Sequence, residues 1–268
     1  MTPLKRSGAP AKNPGPPAAP DWRQQLLDSS RSFGIELSAA QLDAFATYLS
    51  TLLEWNRRIN LTSITDPAEI AALHLLDSLT CLFAYRPDAN ACVIDVGSGA
   101  GLPGIPVAIA RPDLRVTLLE CTRKKCRFLE HMIARAPLPQ VSVDCRRAED
   151  AGRDQATRET FDIAMTRAVA EVAVATELCL PLVKVGGAVL IMKGPQAQEE
   201  IARGVKAIAT LGGELESARP FALPTPTGPV QRVIVVVRKV HPTPEKYPRP
   251  PGIPAKRPLG IDRGRQRG

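Results

Sequence analysis

The fold of this chain is decided by one stretch, Val93-Ile94-Asp95-Val96-Gly97-Ser98-Gly99-Ala100-Gly101-Leu102-Pro103-Gly104. Its apolar start predicts a buried strand, its alternate glycines predict a tight turn, and the apolar residues 105–110 predict a helix. Because glycine has no Cβ, a ligand can lie against the backbone of such a turn. The N–H groups at the helix start are available to polar ligand atoms. The stretch therefore predicts a ligand site at the end of a strand.

The spacing of these glycines favours a smaller ligand than a dinucleotide. Dinucleotide sites have G-x-G-x-x-G, whereas this chain has D-x-G-x-G-x-G, which suits an adenosine-bearing ligand such as S-adenosylmethionine. Glu120 ends the next predicted strand, where an acid can hold ribose hydroxyls. We therefore predict cofactor contacts at Gly97, Gly99, Gly101 and Glu120. The alternative is a plain strand-to-helix turn with Glu120 as a surface acid.

The rest of the chain alternates between strand-like and helix-like segments. Strands are predicted at 92–96, 115–119, 141–144, 161–165, 187–192, 213–221 and 230–238. Helices are predicted at 104–110, 123–136, 169–184 and 197–210. No helical pattern separates the last two strands, so we expect them to pair as a hairpin. This order predicts an α/β fold, a seven-stranded, doubly wound, Rossmann-like sheet with ligands at the carboxyl ends of its strands.

Three helices precede the sheet. Residues 21–34 form an amphipathic pattern, Ser38 and Gln41 form a capping box, and Asp66-Pro67 is a helix start. We divide the chain into a basic tail at 1–20, a helical appendage at 21–85, a catalytic domain at 86–240 and a basic, proline-rich tail at 241–268.

Charge is concentrated in the two tails. The chain has 268 residues and a net charge of +8. Residues 1–20 hold three cations and no acid, and residues 241–268 hold seven cations against Glu245 and Asp262. Such proline-rich tails are expected to pack poorly, and their charge favours a polyanionic partner such as nucleic acid. The alternative is that they serve solubility.

Composition excludes other classes of protein. No apolar run approaches the roughly 20 residues of a membrane-spanning helix, and residues 1–20 lack the apolar core of a signal peptide. We therefore expect a cytoplasmic protein, with no membrane partner, that acts as a monomer. The six cysteines are scattered without metal-ligand spacing. We expect them to be reduced thiols and expect no metal.

Several polar residues are candidates for substrate contacts. Asn56 and Asn60 are four residues apart at the end of a helix, and His74 and Asp77 lie on neighbouring turns of the next. Asparagine is a poor helix former, which indicates a cap or a specific hydrogen bond. The alternatives are that Asn60 caps its helix and that His74 is structural.

Charged residues follow the other strands. The segment Arg123-Lys124-Lys125-Cys126-Arg127 places cations at a helix start, where an anionic partner would relieve them. A solvated face is the alternative. Ala148 and Glu149 lie where a loop would pass an adenine ring, Arg167 would point into the cleft towards a carboxylate or phosphate, and Lys193 ends the fifth strand.

Longer motifs resemble a known family. They are Leu53-Glu-Trp-Asn56-Arg-Arg-Ile-Asn60-Leu-Thr62, His74-Leu-Leu-Asp77-Ser78, Asp95-Val-Gly-Ser-Gly-Ala-Gly-Leu-Pro-Gly-Ile-Pro106, Arg147-Ala-Glu149, Thr166-Arg-Ala168, Met192-Lys-Gly194 and Tyr247-Pro-Arg-Pro-Pro-Gly-Ile-Pro-Ala-Lys-Arg-Pro-Leu259. The chain resembles, over about residues 21–260, the glucose-inhibited division protein B family of bacterial 16S ribosomal RNA guanine-N7 methyltransferases. Residues 1–20 and 263–267 look like additions to that pattern.

The resemblance implies a reaction and its partners. The methyl donor would be S-adenosylmethionine, bound at Gly97, Leu102, Ala148, Glu149 and Arg167. The acceptor would be N7 of one guanine in 16S ribosomal RNA or the small subunit. Alternative functions are a methyltransferase for a protein or small molecule, and a non-catalytic, RNA-binding assembly factor. A nicotinamide dehydrogenase is disfavoured by the glycine spacing.

Overall fold

The computed structural model describes residues 21–261, which form one sheet with helices on both faces. The strands are β1 (Cys92–Val96), β2 (Arg115–Leu119), β3 (Val141–Asp144), β4 (Phe161–Arg167), β5 (Val183–Lys193), β6 (Gly213–Leu223) and β7 (Val230–Lys239). Their order in the sheet is β3-β2-β1-β4-β5-β7-β6. The first five are parallel, and β7 runs antiparallel to both of its neighbours.

This sheet confirms the predicted fold class and the predicted hairpin of the last two strands. All seven strands form where they were predicted, and each of the strands β4 to β7 is between one and five residues longer than predicted. The chain reverses its direction of travel across the sheet between β3 and β4, because β1 lies between β2 and β4. The carboxyl end of β1 is therefore a topological switch point, the usual ligand position in such sheets.

The helices are arranged around this sheet in chain order. They are α1 (Trp22–Ser32), α2 (Ala39–Asn56), α3 (Pro67–Ile70), a π-helical segment (Ala71–Leu76), α4 (Asp77–Ala84), α5 (Gly104–Ala110), α6 (Arg123–Arg135), α7 (Ala148–Ala151), α8 (Val172–Cys179), a 3-10 turn (Leu180–Leu182), α9 (Ala197–Thr210) and α10 (Ile253–Lys256). The helix predicted over 169–184 is shorter, since it begins at Val172 and passes into the 3-10 turn.

The local signals at the helix starts are confirmed. The side chain of Ser38 accepts from the backbone of Gln41 while Gln41 bonds back to Ser38, which completes the capping box of α2. Asp66 accepts from two backbone N–H groups at the start of α3, with proline in the first turn.

The core has one layer on each face of the sheet. Successive residues of a strand point to opposite faces of the sheet and therefore belong to different layers. Val93 packs in the layer formed with α2, α4, α5 and α6, and Ile94 packs in the layer formed with α8 and α9. The first layer includes Phe45 and Leu52 of α2 together with Leu118 of β2. The core is thus continuous across residue 85, and the domain boundary there stays a prediction.

One helix of the described chain has the length and composition of a membrane span. It is Pro67–Ala84, which combines α3, the π-helical segment and α4, although Glu69 and Asp77 interrupt its apolar residues. The helix start at Asp66-Pro67 predicted a helix that runs through His74 to roughly Phe83, but the sequence pattern did not identify it as an apolar run of membrane-span length. It is 67% buried inside the fold, as a core helix of a globular protein is.

The C-terminal segment differs from its prediction. Residues 241–261 were expected to pack poorly, but Thr243, Tyr247 and Pro254 are buried against the sheet domain. Polar anchors on the body, described below, compensate for the small apolar area of this segment. The predicted tail at 1–20 and the cations beyond Ile261 lie outside the described residues.

Candidate active site

The glycine turn leads directly from β1 towards α5. Gly97, Gly99 and Gly101 have φ angles of 76°, 58° and 83°, which L side chains rarely adopt. The backbone N–H of Gly97 donates to the carbonyl of Leu119 at 2.9 Å, which holds the turn against the end of β2. A Cβ on Gly99 would meet nothing closer than 3.8 Å, so this position of the turn borders open space.

Asp95 braces the turn from beneath. Its Oδ2 accepts from the backbone N–H of Gly104 at 2.9 Å, while its Oδ1 is buried and has no hydrogen-bond partner among the described residues. Burial raises the pKa of Asp95 to about 7, and the hydrogen bond from Gly104 opposes this rise.

Glu120 lies beside the turn, as predicted. Its Oε2 accepts from the N–H of Gly99 at 3.0 Å and its Oε1 accepts from the N–H of Thr122 at 2.7 Å. These two bonds fix the carboxylate at the mouth of the turn. Each carboxylate oxygen keeps a lone pair for a further donor, such as a hydroxyl group.

A first cavity, of about 230 Å³, opens in front of the turn and Glu120. Its apolar wall is formed by Val96, Leu119, Val169, Val174 and Leu178. Its other lining residues are Gly97, Glu120, Cys121, Arg146, Arg147, Ala148, Glu149, Ala170, Gly252 and Ala255. We call this the cofactor cavity. An apolar wall with polar groups beside it suits an adenosine moiety.

A second cavity, of about 440 Å³, lies between the sheet and the helices that precede it. Its lining residues are Ile64, Leu73, His74, Asp77, Arg167, Ala168, Met192, Lys193, Gly194, Glu200 and Arg232. We call this the acceptor cavity. Arg167 and Ala168 border it, whereas Val169 and Ala170 border the cofactor cavity, so one four-residue segment separates the two.

Two guanidinium groups meet one carboxylate in the acceptor cavity. Asp77 Oδ2 lies 3.4 Å from Arg167 Nη1, and Asp77 Oδ1 lies 3.2 Å from Arg232 Nε. Burial raises the pKa of Asp77 and both guanidinium groups oppose the rise. These contacts connect α4 to β4 and β7, and they leave the cavity with a net positive charge.

The sequence comparisons agree with this geometry. The family model described as GidB, rRNA small subunit methyltransferase G, matches residues 41–225. Proteins named ribosomal RNA small subunit methyltransferase G are 47% identical in Roseiflexus sp. (87% of this chain, 98% of the relative) and 47% identical in Pelotomaculum thermopropionicum (88% and 98%). The relative in Bacillus cytotoxicus is 45% identical over 84% of this chain and 94% of its own.

The chain belongs to this family. The resemblance drawn from the motifs is therefore confirmed.

The predicted cofactor residues fall mostly into one place. Gly97, Glu120, Ala148 and Glu149 line the cofactor cavity, and Gly99 and Gly101 belong to the turn beside it. Leu102 is buried in the core cluster under the turn. Arg167 differs, since its Nη1 donates to the carbonyl of Leu73 at 2.9 Å and its side chain lines the acceptor cavity. A contact between Arg167 and the cofactor stays a prediction.

His74 lines the acceptor cavity and is held by hydrogen bonds, and its contact with substrate stays a prediction. Its Nε2 lies 2.7 Å from Thr62 Oγ1, and its Nδ1 lies 3.4 Å from Arg167 Nη2. Burial, with a further contribution from the Arg167 charge, lowers the pKa of His74 to about 4. The imidazole is therefore neutral at physiological pH.

Lys193 holds the segment that separates the two cavities. Its Nζ donates to the carbonyl of Ala170 and lies 2.7 Å from Glu200 Oε2. The same carboxylate oxygen accepts from the N–H of Val172 at 3.1 Å. Ala168, within this segment, has a left-handed φ of 56°, a strained conformation of the kind that clusters at functional sites.

Asn56 has a structural role. Its Nδ2 donates to the carbonyl of Thr62 at 2.8 Å, and its Oδ1 accepts from the N–H groups of Leu61 and Thr62. Asn56 thereby shapes the loop that follows α2. Asn60 is exposed at the tip of that loop.

A third pocket, of about 420 Å³, joins that loop to the start of α6. It is lined by Asn56, Arg57, Arg58, Ile59, Asn60, Thr122, Lys124 and Lys125. We call it the basic pocket. Its four cations form no ion pair with another described residue. Arg123, also a predicted contact, is exposed next to it.

The prediction that all six cysteines are reduced is wrong for one pair. Cys126 of α6 and Cys145, after β3, are joined by a disulfide with their Cα atoms 6.0 Å apart. They are 19 residues apart in sequence, and only the parallel pairing of β2 with β3 brings them together. Within residues 21–261, no group of three or more His, Cys, Asp or Glu side chains is placed to hold a metal ion.

Sequence reasoning missed Arg232 and Glu200 of the acceptor cavity. Arg232 lies on β7, far along the chain from the other lining residues, and Glu200 lies on α9, where no strand end marked it. Arg232 did carry a signal, because its charge stands at the start of the apolar run Val233–Val237. Gly252 and Ala255 of the cofactor cavity were missed because their segment was assigned to a tail.

Proposed function

We propose that this protein transfers the methyl group of S-adenosylmethionine to N7 of a guanine in the 16S ribosomal RNA of the small subunit. One observation carries the proposal: a cavity suited to adenosine and a charged cavity suited to a base lie on the two sides of the segment 167–170, in a chain of this family. A methyl group held at that segment would be shared by both cavities.

The cofactor cavity fits the proposed donor. Glu120 would hold the ribose hydroxyl groups, Glu149 would face the exocyclic amine of adenine, and the turn at Gly97 and Gly99 would approach the ligand without a Cβ in the way. S-adenosylmethionine supplies a methyl group activated by its positively charged sulfur.

The acceptor atom makes few demands on acid–base chemistry. N7 of guanine has a lone pair in the plane of the ring and no proton to lose, so a general base is unnecessary. The neutral, hydrogen-bonded His74 agrees with this. Positioning alone can supply about 7–11 kcal/mol of barrier reduction. We therefore assign the residues of the acceptor cavity to binding and orientation.

The charges of the acceptor cavity complement the edge of a guanine. Guanine presents the O6 acceptor beside N7, and it presents the N1–H and N2–H donors on the edge used for base pairing. Arg167 and Arg232 can donate to O6, while Asp77 or Glu200 can accept from the nitrogens. We infer that the base leaves its stack to enter this cavity.

The basic pocket would hold the phosphate backbone of the RNA. Its residue Thr122 bonds through its N–H to Glu120 of the cofactor cavity. Its residue Asn56 bonds to the backbone of Thr62, whose hydroxyl bonds to His74 of the acceptor cavity. Unpaired cations release counterions from a phosphate backbone on binding. RNA held there would lie next to both cavities. Lys124 and Arg123 keep their predicted role as substrate contacts in this proposal.

We infer further that the protein acts as a monomer in the cytoplasm, where small subunits are assembled.

The test is methyl transfer from labelled S-adenosylmethionine to small subunits from cells that lack this protein. Chain scission selective for N7-methylguanine then maps the labelled nucleotide. Subunits from cells that contain the protein are the control, because their target is already methylated. Protein-free 16S RNA, in parallel, distinguishes free RNA from the assembled particle as substrate.

One labelled guanine in deficient subunits, and none in control subunits, is the expected result. Transfer to a different atom or to a protein would overturn the proposed acceptor. Tight RNA binding without any transfer would instead favour a non-catalytic assembly factor.

A further inference from the structure

The C-terminal segment crosses the cofactor cavity. We call residues 243–256 the C-terminal strap. Two of its residues, Gly252 and Ala255, line the cofactor cavity beside Glu149. The strap is therefore part of the wall of a cavity whose other residues lie in 96–178.

Arg249 anchors the strap to a fully buried carboxylate. Its guanidinium binds both oxygens of Glu177, with Nε to Oε1 at 2.8 Å and Nη2 to Oε2 at 2.5 Å. Its backbone N–H donates to the same Oε1 at 2.9 Å. The Glu177 side chain is 0% exposed and lies on α8, which also supplies Val174 and Leu178 to the cavity. A bidentate, buried pair of this kind fixes geometry strongly.

The segment after α7 holds the strap as well, through Arg153 and Arg158. Arg158 donates to the carbonyls of Tyr247, at 2.8 Å, and Thr243, at 2.6 Å. Arg153 Nε donates to the carbonyl of Pro248 at 2.7 Å. The strap thus rests on the residues that follow α7, the helix that carries Ala148 and Glu149.

The strap also sets the orientation of Glu149. The backbone N–H of Gly252 donates to Glu149 Oε1 at 2.8 Å, and Gly252 has a left-handed φ of 79° that aims this N–H. Glu149 Oε2 has no hydrogen-bond partner among residues 21–261, and the side chain lines the cavity. One oxygen is held by the strap and the other is left for a ligand donor.

We propose that the strap is a functional wall of the cofactor cavity, and that Arg249 is a positioning residue which, through Gly252, holds Glu149 ready for the exocyclic amine of the adenine ring. This inference rests on the proposed function, because it takes S-adenosylmethionine as the ligand. It follows that cofactor binding and docking of the strap stabilise each other.

The first test compares two ligands that differ at that amine. S-adenosylhomocysteine has a 6-amino group, which donates to a carboxylate, and S-inosylhomocysteine has a 6-oxo group, which repels it. We expect the full-length protein to prefer the adenosyl ligand in calorimetric titrations. Arg249→Ala should weaken adenosyl binding about tenfold and change inosyl binding much less, so that the preference falls. A general loss of structure would weaken both ligands equally.

Lys246→Ala is the matched control. Lys246 lies on the same strap and is exposed, and the change removes the same charge, yet its described contact is to the ring of Tyr247 at 5.4 Å. The Lys246→Ala variant should bind both ligands with the affinities of the unchanged protein. If Arg249→Ala kept both affinities and their ratio, the strap would have no role in the cavity.

A second measurement needs no variant. In hydrogen exchange of the unchanged protein, S-adenosylhomocysteine should slow exchange in peptides covering 247–256, including the amide of Gly252. Unaltered exchange there, with ligand bound, would overturn the inference alone. Failure of the unchanged protein to bind S-adenosylhomocysteine at all would overturn the proposed function together with it.

Discussion

Asp95 supports the glycine turn through a hydrogen bond, and its raised pKa makes the stability of the protein depend on pH. Its pKa of about 7 arises because the carboxyl group is buried and Oδ1 lacks a partner among the described side chains. A folded-state pKa above the unfolded value means that the native state binds the extra proton. The stability that this protonation supplies is complete below about pH 4 and is lost as the pH rises to about 7.

We therefore expect Asp95→Asn to gain stability relative to the unchanged protein as the pH rises. The neutral amide keeps an acceptor for Gly104 and cannot ionise. Between pH 5 and pH 8 the difference in the free energy of unfolding should shift by about 1–3 kcal/mol in favour of the variant. Urea unfolding at the two pH values measures it. A difference independent of pH would show that Asp95 stays ionised throughout.

His74 carries the second prediction at this scale. With its pKa lowered to about 4 by burial and by Arg167, the imidazole should be neutral from pH 5.5 to pH 8. The ring protons should titrate near pH 4 in NMR spectra. The methylation rate should show no inflection near pH 6.5 that belongs to this residue. An inflection there which His74→Gln removes would contradict the structure and would make His74 a candidate base.

At the scale of one element, the glycine turn separates folding from ligand binding. A Cβ at Gly101 would lie 2.3 Å from Ile105 Cδ1 and 2.8 Å from Ile105 Cγ1, inside the core. A Cβ at Gly99 would enter open space. Both positions have positive φ, so both substitutions bear backbone strain of about 1 kcal/mol.

We therefore expect Gly101→Ala to impair mainly the stability of the fold and Gly99→Ala to impair mainly ligand binding. The first adds overpacking, so we expect a loss of about 2–4 kcal/mol in the free energy of unfolding. Gly99→Ala should lower the free energy of unfolding by only about 1 kcal/mol. It should weaken the binding of S-adenosylhomocysteine at least tenfold, because the added methyl group occupies the approach to the turn. Urea unfolding and calorimetry distinguish the two. Normal ligand affinity in Gly99→Ala would show that the ligand does not bind next to Gly99.

At the scale of the whole molecule, the basic pocket unites two distant parts of the chain. Arg58 follows α2 and Lys124 begins α6. The double variant Arg58→Ala/Lys124→Ala should weaken RNA binding at least tenfold and lower the slope of log affinity against log salt by about 1.5, while S-adenosylhomocysteine affinity is retained. Filter binding across salt concentrations measures both effects.

The control for the basic pocket is Arg86→Ala/Lys206→Ala. These two exposed cations have the same total charge and lie towards the amino-terminal edge of the parallel strands, away from both cavities. This variant should bind RNA as the unchanged protein does. Equal losses in the two double variants would mean that net charge, and not the basic pocket, governs binding.

The same scale shows which parts of the site sequence reasoning could reach. Gly97, Glu120 and Glu149 were found because each follows a predicted strand, and the ends of parallel strands meet at one edge. Arg167 was found by the same rule, but its partner Asp77 decided which cavity it faces. Asn56 stabilises its own loop and also lines the basic pocket, so its contact with substrate stays a prediction.

Local patterns in the sequence by themselves determined the strands, the glycine turn, the caps of α2 and α3, and the family. Each of these depends on residues a few positions apart, whose preferences persist in any packing. Tertiary structure alone decided the pairing of Cys126 with Cys145, the entry of Arg232 into the acceptor cavity, and the docking of Arg249 on Glu177. These contacts join residues 19, 155 and 72 positions apart. Such contacts exist only after the sheet has set its strand order, because burial and charge pairing act through space and leave no periodic trace along the chain.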